Sequence, residues 1–281
     1  MIKKVFITAV VLLAVYSLVL KFLPEGLDTD QSQYGENVIK AQNFIYNSRP
    51  EETENVIVGT SLSTRIFTDS LGQGFVNLAF SGSTIWDGLR LIKSKAIKPK
   101  RVFIENTFLF KNTDYNLTDY VTNGFHSKLK SALPVLLEEN QPVGVLKAVL
   151  VNQLRGKQNE LVIDSTAVNI NPEILEIQSE YFVHDYIEEN YEYIFTRRLR
   201  AELDELLSNG IEVILYEMPL HPDFCSSEVV RRTRVECQKL ADEAGIRFIT
   251  LQNCEFYQTN DGIHLVEHSG LKFTRYLKSK I

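Results

Sequence analysis

Cysteine is scarce in this 281-residue chain, and its three copies, Cys225, Cys237 and Cys254, show no Cys-x-x-Cys spacing. That excludes the usual structural zinc site. An odd count leaves at least one thiol free or paired between chains, and a Cys225–Cys237 bridge is open to a domain in an oxidising compartment. Positive charge is also in deficit: the formal net charge is -6 and no long basic run occurs, which argues against nucleic acid as a partner. Internal repeats and low-complexity tracts are absent. What remains is 44% hydrophobic and 23% charged, the balance of a globular protein.

The N-terminus holds an uncharged apolar run, Val5 to Leu20, preceded by Lys3 and Lys4 and followed by Lys21, Phe22 and Leu23. Counted through Leu23 it reaches the lower end of what spans a bilayer. The lysines favour a cytoplasmic start, which puts everything from about Pro24 on the far side, periplasmic or extracellular. A cleaved signal peptide shares the charged start and apolar middle, but Ser17-Leu18-Val19-Leu20-Lys21 lacks a small-x-small cleavage pattern. The expectation is an uncleaved anchor over residues 1–23, then a tether with an edge helix over 24–50 (Pro24 to Glu36 is polar and turn-rich), and one domain over 51–281.

Within that domain, apolar runs alternate with helical spacing. Strands are expected at Asn55–Gly59, Phe75–Phe80, Arg101–Glu105, Ile211–Tyr216 and Ile246–Leu251. Helices are expected at Ile85–Ile97 with Ser83 or Thr84 as N-cap, at Asp185–Asn209 ended by Gly210, at Ser227–Ala244 and at Glu267–Lys280. This order predicts a parallel sheet with helices on both faces. Residues 110–180 break the rhythm: they hold apolar helical segments (Leu129–Leu137, Val143–Leu154) and read as an insertion over the sheet's carboxyl edge.

Two short stretches carry chemistry. In Asn55-Val56-Ile57-Val58-Gly59-Thr60-Ser61-Leu62-Ser63, a β-branched run breaks at a glycine and delivers Ser61 to what reads as a short helix through Asp69. A nucleophile standing at the end of a buried parallel strand needs this arrangement, with free N–H groups at the helix start to hold an oxyanion. In Asp261-Gly262-Ile263-His264, a carboxylate three residues before a histidine can hold one ring nitrogen while the other faces a hydroxyl. Each stretch alone also suits an ordinary turn with a helix cap.

Together the motifs resemble the SGNH (GDSL-type) hydrolase family over about Asn55 to Ser279, in that family's order. The resemblance implies a flavodoxin-like three-layer α/β/α sandwich. It also implies Ser61 as nucleophile, His264 as base and Asp261 as the acid that orients it, with an oxyanion hole of Ser61, Gly82 (in Asn77-Leu78-Ala79-Phe80-Ser81-Gly82) and Asn106 (in Phe103-Ile104-Glu105-Asn106-Thr107). No cofactor or metal is implied. Two positions depart from the family pattern. Thr60 stands where the family has Asp, a change the chemistry tolerates. Ile104-Glu105-Asn106-Thr107 stands where the family has Gly-x-Asn-Asp, with Thr107 able to donate beside Asn106.

The resemblance implies a membrane-anchored serine esterase or O-acyltransferase, acting on acetyl groups of cell-envelope or extracellular polysaccharide, in some members beside a multi-spanning membrane acyltransferase. A non-catalytic glycan-binding or scaffold module of the same fold, and a lipase or lysophospholipase, are the competing readings. Among other residues, His221 after the fourth strand is a candidate lining group. His268 lies four residues after His264 without the remaining ligands of a metal helix. Trp86 and Phe110 read as packing residues, and His126 and His184 have no legible context.

Overall fold

Runs rich in Val, Ile and Phe with buried neighbours on both sides form the centre of the molecule, seen here in a computed structural model. The structure describes residues 1–281 apart from 25–26, 28, 31, 112–114, 156–169, 183–192 and 252. Five strands, β1 (Asn55–Val58), β2 (Phe75–Asn77), β3 (Arg101–Glu105), β4 (Glu212–Tyr216) and β5 (Arg247–Ile249), pair in parallel in the order β2-β1-β3-β4-β5. This is the flavodoxin-like order, whose direction of winding reverses between β1 and β3. The second strand is shorter than expected. At its end the Asn77 side-chain amide donates to the Ser63 carbonyl (2.7 Å) and its oxygen accepts from the Ala79 N–H (2.9 Å), tying β2 to the turn after β1.

The described α-helices, in chain order, are α1 (Ile2–Leu20), α2 (Gln33–Gln42), α3 (Thr68–Leu71), α4 (Ile85–Ser94), α5 (Asn116–Thr122) and α6 (Gly124–Ala132). They continue with α7 (Pro142–Arg155), α8 (Pro172–Ser179), α9 (Leu199–Ser208), α10 (Pro222–Cys225), α11 (Glu228–Ala244) and α12 (Glu267–Lys278). Thr84 caps α4 and Ser227 caps α11, whose C-terminus stops at Gly245 in the left-handed region (φ 66°). Of the long helix expected over Asp185–Asn209, the described part is a π-turn at Ile194–Arg198 running into α9.

The chain divides into two compact units: residues 48–115 with 162–281, which carry the sheet, and residues 1–47 with 116–161. In the sheet unit, alternation along the strands decides what each side chain meets. One face shows Ile57, Phe103, Ile214, Tyr216 and Ile249 to Phe273 and Leu277 of α12 and Leu71 of α3, all buried. Burying each such side chain contributes about 1.5–3 kcal/mol. The other face packs on α4, α9 and α11. There α4 approaches so closely that a Cβ on Gly88 would lie 2.7 Å from Val58 Cγ1, so glycine is required. Lys93 of α4 ties to Glu202 of α9 at 3.0 Å. The result is a three-layer α/β/α sandwich. Trp86 and Phe110 are buried, Trp86 under the Arg198 guanidinium (3.7 Å) and Phe110 edge-on to Phe195 (5.8 Å).

In the other unit, α1 is a helix of 19 residues with mean hydropathy 2.1, long and apolar enough to cross a membrane. Tyr16 donates to the Asn140 carbonyl (2.9 Å), and α2 packs on α5 and on the turn Glu138–Asn140. Of the insertion read over 110–180, residues 116–161 therefore cluster with residues 1–47.

The cysteine pairing left open by the sequence is resolved in the structure. Cys225, at the end of α10, is bonded to Cys254 across 29 residues (Cα–Cα 6.5 Å), and Cys237 is a free, buried thiol. Cys237 is buried on α11 and hydrogen-bonded to Asn106, just after β3, which keeps it from the bridge between Cys225 and Cys254.

Candidate active site

Ser61 follows β1 at the carboxyl edge, beside the β1/β3 switch point where ligands of this fold bind. The short helix expected from Ser61 to Asp69 is broken into a 3-10 turn, Ser63–Arg65, and α3. Thr64 Oγ1 donates to the Ser61 carbonyl (2.6 Å) and fixes the start of that turn. Gly59 makes the turn possible, since a Cβ there would fall 2.4 Å from Ser63 Oγ and 2.6 Å from Glu105 Oε2.

The second half of the site comes from the loop before α12. His264 Nε2 lies 2.8 Å from Ser61 Oγ, and His264 Nδ1 lies 2.6 Å from Asp261 Oδ2. The other Asp261 oxygen accepts the backbone N–H groups of Ile263 (3.1 Å) and His264 (2.7 Å), closing a tight turn that aims both side chains the same way. Burial works to raise the Asp261 carboxyl. The His264 ring and backbone hydrogen bonds outweigh it, and the carboxyl is held below its ordinary value. An ionised Asp261 keeps the proton on Nδ1 and leaves Nε2 free to accept from Ser61. Gly262 provides the left-handed turn residue (φ 94°), its carbonyl accepting the His221 N–H at 2.8 Å. His221 therefore braces this loop through its backbone, while its ring caps α10 by accepting from the Asp223 N–H (3.4 Å).

Beneath Ser61 lies a group that the sequence reading passed over. Glu105, the last residue of β3, is fully buried. Its Oε2 accepts from the Thr60 N–H (2.8 Å) and Ser63 Oγ (2.5 Å), and its Oε1 accepts from Thr60 Oγ1 (2.9 Å). Ser63 Oγ also pairs with the Tyr216 hydroxyl at 2.6 Å, and Thr107 adds a further side-chain hydrogen bond to Glu105. Burial pushes the Glu105 carboxyl up, against the pull of these donors, and raises the Tyr216 phenol well above its ordinary value. A carboxyl group from the neighbouring strand thus braces the turn that carries Ser61.

The oxyanion candidates fare differently. Gly82 lies in the turn after β2 with φ 74°, and this loop is tied to the nucleophile turn by the Phe80 N–H donating to the Gly59 carbonyl (3.4 Å). Asn106 is buried, but its side chain is hydrogen-bonded to the Cys237 thiol on α11. Strand alternation explains this: Glu105 faces α12 beneath Ser61, so the next residue faces the opposite layer. The resemblance implied a place for Asn106 at the oxyanion; in the structure its side chain hydrogen-bonds the Cys237 thiol on α11. Burial pushes the Cys237 thiol up, with the Asn106 hydrogen bond opposing it. Among the described residues no group of three or more His, Cys, Asp or Glu side chains is placed to hold a metal ion. His268 lies in the first turn of α12, and His184 and the side chain of His126 lie outside the described residues.

No protein-family profile matches the chain, and no curated protein matches it. Among solved structures, a Bacteroides fragilis NCTC 9343 protein provisionally called an acylhydrolase matches over 90% of this chain and 95% of its own, at 10% identity and a TM-score of 0.42. A GDSL-like lipase from Bacteroides thetaiotaomicron VPI-5482 matches over 88% of this chain and 98% of its own, at 11% identity and a TM-score of 0.41. Likenesses this distant identify no activity. The chemistry has to come from the side chains.

Proposed function

We propose that this chain is a serine-dependent acyl-ester enzyme, an esterase or O-acyltransferase of SGNH type, tethered by α1 and acting on O-acetyl groups of cell-envelope or extracellular polysaccharide. The observation that carries the chemistry is the unbroken row Ser61–His264–Asp261, with spacings of 2.8 and 2.6 Å. In this reading His264 Nε2 takes the Ser61 proton as Oγ adds to the ester carbonyl. The resulting oxyanion is held by the Ser61 and Gly82 N–H groups. Collapse expels the alcohol, which leaves with the proton from His264. Water or a sugar hydroxyl then attacks the acyl-Ser61 in the same way, returning free serine and releasing acetate or a new ester. α1 anchors the enzyme on the non-cytoplasmic side, where a disulfide such as Cys225–Cys254 persists. No cofactor enters this scheme. The partners are the glycan, the membrane and, for a transferase, a multi-spanning membrane protein that supplies the acyl group.

The test is hydrolysis of p-nitrophenyl acetate by the full chain in detergent, beside Ser61→Ala. Activity lost in the variant supports the reading, and activity retained overturns the assignment of Ser61. One observation favours a second reading, a glycan-binding module without turnover: the Asn106 amide is committed to Cys237, leaving the oxyanion two donors. A fluorophosphonate probe distinguishes them, since only an activated Ser61 is labelled.

A further inference from the structure

We infer that the first unit is sunk into the membrane face, with the exposed apolar stripe of α7 lying among lipid acyl chains beside α1. The inference rests on the reading of α1 as a membrane span and adds to it how deep the attached unit sits.

The argument begins with length. From Ile2 to Val15 the side chains of α1 are exposed without interruption; beyond them Tyr16, Ser17 and Leu20 are half-buried while Leu18 and Val19 stay exposed, and Tyr16 donates to the Asn140 carbonyl (2.9 Å). The turn Pro134–Leu136 also packs on α1. The free part is thus 14 residues, about 21 Å at 1.5 Å per residue, short of the roughly 30 Å hydrocarbon core. The whole helix, at 19 residues, spans about 28 Å and nearly matches it. A span that uses all of α1 therefore carries Tyr16, and Asn140 with it, below the membrane surface by about four residues of helix, roughly 6 Å.

The segment brought to that depth is chemically suited to it. Asn140 lies two residues before α7, and α7 turns one side inward: Val145 and Ala148 are buried, and a Cβ on Gly144 would lie 2.4 Å from the Thr29 carbonyl. On the opposite side Val143 (82% exposed), Leu146 (62%) and Leu150 (51%) form one stripe at helical spacing. Lys147 lies at the rim of this stripe, where a long aliphatic stem lets a charge reach the headgroups. Leu133, next to the turn packed on α1, is exposed as well. A helix lying in an interface buries its apolar face by about 5–10 Å, the depth that the length of α1 requires. Continuity with the span, rather than exposure alone, selects lipid as the occupant of the stripe.

The test places tryptophan in the full chain, reconstituted in phosphatidylethanolamine–phosphatidylglycerol vesicles with or without acyl-chain-brominated lipid. The wild-type chain has one tryptophan, the buried Trp86, and serves as background. Leu146→Trp is expected to add emission that is blue-shifted and lost to brominated lipid, as is Val10→Trp in α1. Unquenched, red-shifted emission from Leu146→Trp beside a quenched Val10→Trp overturns the inference and leaves the anchor standing. Failure of both to quench overturns the anchor reading, and the inference with it.

Discussion

Replacing Glu105 separates the two tasks its carboxyl performs, accepting hydrogen bonds and being an acid. In Glu105→Ala the buried Thr60 N–H and Thr60 Oγ1 lose their acceptor, as does the half-buried Thr107, while Ser63 Oγ keeps the Tyr216 hydroxyl. Each buried donor left unsatisfied costs about 1–3 kcal/mol, so the variant should lose roughly 2–6 kcal/mol. Against a typical total of about 5–15 kcal/mol this is severe. Glu105→Gln is expected to behave otherwise. Its amide oxygen can take the place of Oε2 and accept from the Thr60 N–H and Ser63. Its NH₂ then faces Thr60 Oγ1, which can rotate to accept, so the loss is about one hydrogen bond, roughly 0.5–1.5 kcal/mol. Unfolding followed through Trp86 fluorescence measures both. Acetate-ester turnover should persist in the Gln variant and fall in the Ala variant as the turn carrying Ser61 loosens. The pH dependence has a definite sign. Because the folded carboxyl is raised, its contribution to stability is complete below the ordinary glutamate range and is lost as pH rises through the folded value. The wild type should therefore lose ground to Glu105→Gln as pH increases across that window. Equal losses in Ala and Gln, or an Ala cost below about 1 kcal/mol, would refute the reasoning.

Further outcomes follow from the neighbouring loops. Asp261→Asn should lower turnover by about 100- to 10,000-fold, because an amide N–H at Nδ1 drives the histidine to the tautomer whose Nε2–H points at Ser61. Since the Asp261 carboxyl is depressed, its stability contribution is present above the ordinary aspartate range and lost as pH falls through the folded value; the Asn variant should show a flatter acid limb. Gly262→Ala places a Cβ 2.6 Å from Phe224 Cε2 and 2.8 Å from Leu175 Cδ2 at a φ of 94°. Phe224 is held by stacking on Phe182 (4.8 Å), so crowding and backbone strain together should cost about 2–5 kcal/mol in a thermal melt and displace His264. Removing the Cys225–Cys254 bridge by double alanine replacement opens a 29-residue loop, a loss of about 3–4 kcal/mol by chain entropy; an unchanged denaturation midpoint would contradict it.

The sheet and the Asp261–His264 turn were legible because local patterns specify both, whereas the pairing of Ser61 with His264 came only from the resemblance of the two motifs together to the SGNH family. Apolar runs broken by glycine marked β1, and a carboxylate three residues before a histidine defines its own turn. Glu105 and Asn106 were not legible in the same way, since their roles depend on which face of β3 each one occupies. One residue of register decides between a support beneath Ser61 and a partner for α11, and a motif read by position does not carry that information. The cysteine pairing was left open in the sequence for a related reason. Cys225 is closer in sequence to Cys237 than to Cys254, but Cys237 is buried on α11 and hydrogen-bonded to Asn106.

Drawing the acid under Ser61 from β3 also affects when the serine becomes reactive. Thr60 and Glu105 are 45 residues apart, and Ser61 and His264 are 203 apart. Ser61 follows the first strand made, and His264 lies in the loop before the last helix. Contacts of such long sequence separation form late in folding. A partly folded chain carries Ser61 as an unactivated hydroxyl on a turn with nothing to brace it, and both deficits end when β1 pairs with β3 and the C-terminal helix closes over the sheet. The row Ser61–His264–Asp261 is thereby a product of completed folding, absent from any chain in which only the N-terminal strands have formed.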